Sequence, residues 1–198
     1  MLKYLFVKPA GVSSDPRWVD VPQDAEVFTY HQKHAGQALI GGLILAAIVE
    51  AAAVHLLISM WNHWVAVAFT LTSVWLVLQI MAQIRAMGMR PIYIDQGHLI
   101  LRNGAFDLAD ITISQVDSIE KSIKEVKSEK GEMRPLNVGF PATHNVVLRL
   151  KEPMEAKILN RKKRDFQIAL LAIDDADQFV ETIRQQLTSA KETEAIIN

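Results

Sequence analysis

Leu39 to Ser59 reads LIGGLILAAIVEAAAVHLLIS, a run of 21 residues in which Glu50 is the one formally charged side chain. At 1.5 Å per residue a helix of that length covers about 31 Å, close to the hydrocarbon thickness of a bilayer. Toward the C-terminus, Met60 to Trp64 reads MWNHW, and Val65 to Ile84 adds twenty residues with no formal charge. So short a connection makes the two helices antiparallel, and the reading is a two-span transmembrane hairpin over residues 35–87. A pair of buried soluble helices would need a large apolar partner surface, which the more polar remainder of the chain does not supply.

The flanks set the orientation. Lys33, Arg85 and Arg90 lie at the outer ends while the connecting turn has neither Lys nor Arg, so the positive-inside rule places both termini in the cytoplasm. Trp61 and Trp64 suit the aromatic belt at the opposite interface. Residues 1–34 read as a retained N-terminal cytoplasmic segment. The apolar stretch Tyr4 to Val7 is too short for the core of a signal peptide, and Asp15, Asp20, Asp24 and Glu26 follow it.

The whole chain has 198 residues, a formal net charge of -1 and no cysteine. Disulfides and thiolate metal or redox sites are therefore excluded. The near-neutral balance argues against a dedicated nucleic-acid binder.

Beyond Pro91 the apolar spacing changes to period two, the signature of strands. Ile92 to Asp95 and His98 to Arg102 are joined by Gln96-Gly97, and Asn103-Gly104 is the strongest hairpin signal of the chain. Leu108 to Ser114, Val116 to Lys121, Asn145 to Lys151, Glu155 to Asn160 and Asp165 to Ile173 continue the series, giving six or seven strands over residues 91–187. Residues 122–143, where Lys and Glu alternate, read mostly as a solvated loop. Asp174 is the expected N-cap of a last helix, with Ala176, Phe179, Val180, Ile183 and Leu187 on its apolar face. Residues 188–198 read as a tail, with at most a weak helical continuation.

This order of elements resembles the bacterial pleckstrin-homology-like (PH-like) membrane proteins. The resemblance is carried by the hairpin, two strands, the Asn-Gly turn, the stretch Ile113 to Glu120, and Asn145 to Leu150 with Glu152-Pro153. A basic turn and the closing helix that starts at Asp174-Asp175-Ala176-Asp177 complete it. It implies two nearly orthogonal antiparallel sheets capped by a C-terminal helix, a cytoplasmic domain on a multi-pass protein of the bacterial inner membrane, and no enzymatic activity. The charged loop Ser122 to His144 departs from that pattern, so a strand expected there should be short or missing.

Glu50 is the most informative single residue. An ionised carboxylate at mid-span costs about 2.5–3.5 kcal/mol, so Glu50 should be neutral or paired and should face protein. Gly42, Ala46 and Glu50 recur every four residues as a small-residue packing face, and folding the hairpin at Trp61-Asn62 places Ser73 opposite Glu50. A Glu50–Ser73 hydrogen bond, within the hairpin or in a homo-oligomer, is the expected packing role. The competing role is a proton or coupling-ion relay in a small subunit of a transport complex, with His55 nearby. His55 and Glu50 lie roughly 140° apart around the helix, which weakens a joint site.

Arg161-Lys162-Lys163-Arg164 is the one concentrated charge run. At a hairpin tip it would offer anionic lipid or an acidic partner about 1 kcal/mol per basic residue, against the commoner fate of a solvated turn with Asp165 as counter-charge. The six histidines invite a metal or haem reading. However, His31 and His34 lack a carboxylate at matching spacing, and equal-depth counting puts Ala68 opposite His55, so no metal and no cofactor is expected. Nucleotide-binding, nucleophile-elbow and zinc-protease motifs are absent from the sequence. The expectation is a non-enzymatic, membrane-anchored interaction protein that binds another protein or supports assembly of a membrane complex. Lipid sensing through residues 161–164 and an ion-coupled subunit role are the alternatives.

Overall fold

A computed structural model describes residues 18–30, 36–123, 133–139, 144–158 and 162–197. The chain divides into a helical unit, within residues 34–86, and a β-rich unit made of residues on both sides of it.

The helical unit holds α1 (Gly36–Ser59) and most of α2 (His63–Met89). Asn62 makes the turn. Its amide NH donates to Ile58 O at 2.8 Å, and its side-chain oxygen accepts from the amides of Trp64 and Val65 at 2.9 and 3.3 Å, which caps the first turn of α2. Among the described residues α2 is the one helix long and apolar enough to cross a membrane; the apolar stretch of α1 with described side chains, Ile44–Ser59, is shorter. Large apolar side chains stand exposed on both helices, among them Leu45, Leu57, Leu71 and Trp75. Trp61 and Trp64, at the turn, are 83% and 79% exposed.

In the β-rich unit the first sheet has the order β1 (Glu26–Phe28), β2 (Ile92–Asp95), β3 (His98–Asn103), β4 (Phe106–Thr112), all antiparallel. The Gln96-Gly97 turn forms as read, with φ of 48° and 78° at its two residues, the double left-handed geometry of a type I′ hairpin. At the next turn the sequence reading is off by one. Asn103 pairs with Phe106, so Gly104-Ala105 is the two-residue loop, with Gly104 at φ 57°.

A single 3-10 turn, Ile113–Gln115, passes the chain to the second sheet. That sheet has the order β5 (Val116–Lys121), β7 (Val146–Ile158), β8 (Lys162–Leu171), β6 (Leu136–Val138), with β6 parallel to β8. The register between β7 and β8 jumps between Arg149 and Met154. Gln167 fills the gap by donating to the carbonyls of Leu150 and Lys151 at 3.2 and 3.5 Å. Part of the expected 122–143 loop is thus strand, because Leu136 and Val138 bury their side chains at the sheet edge. Residues 124–132 and 140–143 lie outside the described residues.

Helix α3 (Ala176–Ile197) closes the unit with Ala176, Phe179, Val180 and Ile183 buried and Leu187 packed against them, as its spacing predicts. Its cap is Asp175 and not Asp174: Asp175 Oδ1 accepts from Gln178 N at 3.3 Å, while Asp174 N donates to Thr29 O at 2.9 Å. The backbone remains helical to Ile197, so the expected loose tail is the last part of α3.

The largest departure from the sequence reading is β1. Residues 1–34 were expected to stand outside the β domain, yet Glu26, Val27 and Phe28 pair with Ile94, Tyr93 and Ile92. The helical segment is therefore an insertion between the first and second strands of one sheet. Phe28 also meets Phe179 of α3 edge-on, with ring centroids 4.8 Å apart, so the N-terminal strand is part of the core.

Candidate functional site

The helical unit carries four of the expected site residues, Gly42, Ala46, Glu50 and Ser73, and their exposure sorts them. On α1 the partly buried positions among those described include Ile44, Ala47, Ala51, Val54, His55 and Ile58, a helical stripe at the spacing i, i+3, i+7. On α2 as far as Val77 they are Val67, Thr70, Ser73 and Val77, with Ala66 fully buried. Gly42, Ala46 and Glu50 are exposed, and a Cβ built on Gly42 meets nothing within 4 Å. The small-residue face therefore looks outward, while Ala47 and Ala51 line the grooves between the helices.

Glu50 and Ser73 do border one shallow groove of about 280 Å³. The hydrogen bond expected between them is not made. Ser73 Oγ donates to Phe69 O, one turn back, at 3.0 Å, an internal alternative that helical serine always has. The polar link between the helices is His55 to Thr70, with Nδ1 and Oγ1 2.7 Å apart. Thr70 in turn donates to Ala66 O at 3.0 Å. Equal-depth counting had placed Ala68 opposite His55, and a shift of two residues brought in the hydroxyl. His55 and Thr70 border a second, larger groove of about 630 Å³ with otherwise almost wholly apolar walls.

In the β-rich unit, a buried polar knot forms where the chain leaves for the insertion and returns from it. Arg90 donates through NH2 to both carboxylate oxygens of Asp107 at 2.7 and 2.9 Å. Arg102 donates through Nε to Asp107 Oδ1 at 2.9 Å and through NH2 to Asp20 O at 2.9 Å. The two arginines are 4% and 5% exposed. Tyr30, 1% exposed, accepts from Gly104 N at 2.7 Å and donates to Arg90 O at 3.3 Å, and Val19 N donates to Met89 O at 2.8 Å.

Burial pushes the Tyr30 hydroxyl up to about 12, against the hydrogen bond from Gly104 and the two guanidinium charges. At Asp107 burial acts to raise the carboxyl, but the hydrogen bonds and charges of Arg90 and Arg102 outweigh it and hold the group below the usual range. Arg90 thus works as an internal counter-ion, which removes it from the free basic flank assumed in orienting the hairpin. The sequence carried one signal for this knot: the second hairpin faces Arg102 with Asp107. The one-residue error in its turn, and the register shift between Leu101 and Arg102, concealed it.

The basic run is placed partly in strand. Arg161 lies outside the described residues, as do the side chain of Lys162 and the flanking residues 159–160. Lys163 Nζ donates to Glu155 Oε2 at 2.6 Å, and that hydrogen bond, helped by the carboxylate charge, raises the lysine above its ordinary value. Arg164 NH2 donates to Pro135 O at 2.8 Å, tying β8 to the entry of β6. Lys163 therefore takes its counter-charge from Glu155, where Asp165 had been expected. His31 and His34 lie outside the described residues, and among the described residues no three His, Asp or Glu gather as a metal would need. No family model, no curated protein and no solved structure matches this chain.

Proposed function

We propose that this chain is a non-enzymatic, membrane-anchored interaction protein of PH-like architecture, whose two-helix hairpin docks onto another membrane helix and so supports assembly of a complex. The carrying observation is Glu50, exposed midway along α1 at the end of a face opened by Gly42 and Ala46. A carboxyl group at that depth is costly unless it meets protein. The chain has no Lys or Arg between residues 34 and 84, so Glu50 has no basic partner at its own depth, and a hydrogen-bonding group on a neighbouring helix would satisfy it. Small residues beside it let a second backbone approach closely.

Three features support the membrane reading. Helices apolar on every side belong in lipid or a large core, and the exposed Leu, Val and Phe side chains of α1 and α2 have that character. The exposed tryptophans at the turn suit an interface. The third is topological: the chain leaves the β-rich unit at Tyr30 and rejoins it at Arg90, and these residues touch. A segment that leaves and returns on one side crosses a bilayer an even number of times, so α2 needs α1, 24 residues long, as its return span. Both termini then share a side, and the flanking charges that remain without Arg90, Lys33 and Arg85, favour the cytoplasm for it. Two four-stranded sheets closed by one helix suit a PH-like domain.

Single cysteines at Asn62 and Asn103 are expected to react with impermeant thiol reagents from opposite faces of sealed vesicles; labelling from the same face would refute the hairpin. The docking role is tested by purification in mild detergent. Glu50→Gln keeps a hydrogen-bonding group of similar volume and should retain the partner. Glu50→Leu should weaken the association by about 0.5–2 kcal/mol. A Gln variant that assembles but abolishes a growth or flux phenotype would instead establish proton carriage by Glu50.

A further inference from the structure

The hydrogen-bond geometry at His55 carries a second inference, which rests on the membrane-hairpin reading but not on docking through Glu50. A threonine hydroxyl has one proton, and that of Thr70 goes to Ala66 O at 3.0 Å. The 2.7 Å contact with His55 must then be His55 Nδ1–H donating to Thr70 Oγ1. In the neutral ring this fixes Nε2 as an acceptor, and His55 lines the groove of about 630 Å³ between α1 and α2. Ala47, Ala51 and Ala52 keep that groove open where longer side chains would fill it.

We propose that this groove binds a neutral, lipid-soluble molecule with a hydroxyl donor at its head, of the hydroquinone class, whose hydroxyl donates to His55 Nε2. The chemistry of the walls selects the class. No Lys or Arg occurs between residues 34 and 84, so a carboxylate or phosphate head would enter without a counter-charge. A plain acyl chain would fill the apolar part and leave the imidazole acceptor unmet. His55 is four residues from the end of α1 at Ser59, which places the head near the interface. The apolar body then runs along the alanines toward Ala47, about 12 Å away at helical rise.

The test uses the full chain in nanodiscs of zwitterionic lipid, titrated anaerobically with decyl hydroquinone and separately with the corresponding quinone. The two share a tail and a ring, but only the hydroquinone can donate. Saturable hydroquinone binding at least tenfold tighter than that of the quinone is expected. His55→Phe should reduce it to the quinone level, and Ala51→Leu, which fills the groove away from the polar pair, should weaken both. Equal affinity for the two probes, absence of saturable binding, or undiminished binding by a helical His55→Phe protein would overturn the proposal. If His55→Phe loses helical signal, the ratio between the two probes on the parent decides the matter.

Discussion

Asp107→Asn is expected to destabilise the β-rich unit by about 2–4 kcal/mol. Breaking one member of a buried ion pair costs about 3–5 kcal/mol, because the other charge stays buried without compensation. Here two guanidiniums, with side chains 5% and 6% exposed, share one carboxylate whose own side chain is 57% exposed. The exposure of Asp107 lowers the figure, since water screens part of the attraction. Asparagine retains one acceptor oxygen and so preserves some geometry while removing the charge. Amide hydrogen exchange of the detergent-solubilised full chain reads the loss directly at Leu99 and Leu101, both fully buried on β3.

The sign of the pH dependence follows from the same group. Its carboxyl is held below the ordinary value, so the stabilisation is fully present above the unfolded-state value, about 3.9, and disappears as pH falls through the lower folded-state value. Parent and variant should therefore differ most at neutral pH and converge in strong acid. A constant difference down to the acid limit would show that Asp107 contributes through shape and not charge.

How much of this was legible in the sequence depends on the range of the contacts involved. The helical conformation of the two apolar runs, the Gln96-Gly97 turn and the buried face of α3 follow from neighbours within a few residues, and each is legible in the sequence. Strand β1 follows from nothing local. It is three residues long, EVF, and its partner begins at Ile92, so only the closed sheet reveals it. The polar link between α1 and α2, His55 with Thr70, was not legible for a different reason. Equal-depth counting fixes the height of a residue but not its rotation, so it favoured Glu50 with Ser73 over His55 with Thr70. Rotation depends on which face packs, and within the chain Ala47 and Ala51 line the grooves between the helices while Gly42 and Ala46 face outward.

The consequence of β1 is sharpest for a divided protein. A fragment beginning at residue 91 is expected not to fold, whereas residues 18–30 joined by a short Gly-Ser linker to residues 87–198 should. The fragment lacks Val21, Phe28 and Tyr30, which are 1%, 3% and 1% exposed in the full chain. Burying Val or Phe fully is worth about 1.5–3 kcal/mol each, and the Tyr30 ring adds a comparable amount. Together these approach the whole stability of a small domain, about 5–15 kcal/mol, before the loss of the Tyr30 bonds to Gly104 and Arg90 is counted. The β2 edge would also expose the groups that pair with Glu26–Phe28, which invites aggregation. A short linker suffices because Phe28 and Ile92 are paired neighbours. Amide spectra distinguish the outcomes: the joined protein should show dispersed resonances with protected β2 and β3 amides, and the shorter fragment should not. A dispersed, protected spectrum from residue 91 onward would make β1 dispensable. It would also remove the mechanical link that the present topology creates, in which a force on α1 and α2 acts at both ends of the insertion on adjacent strands of one sheet.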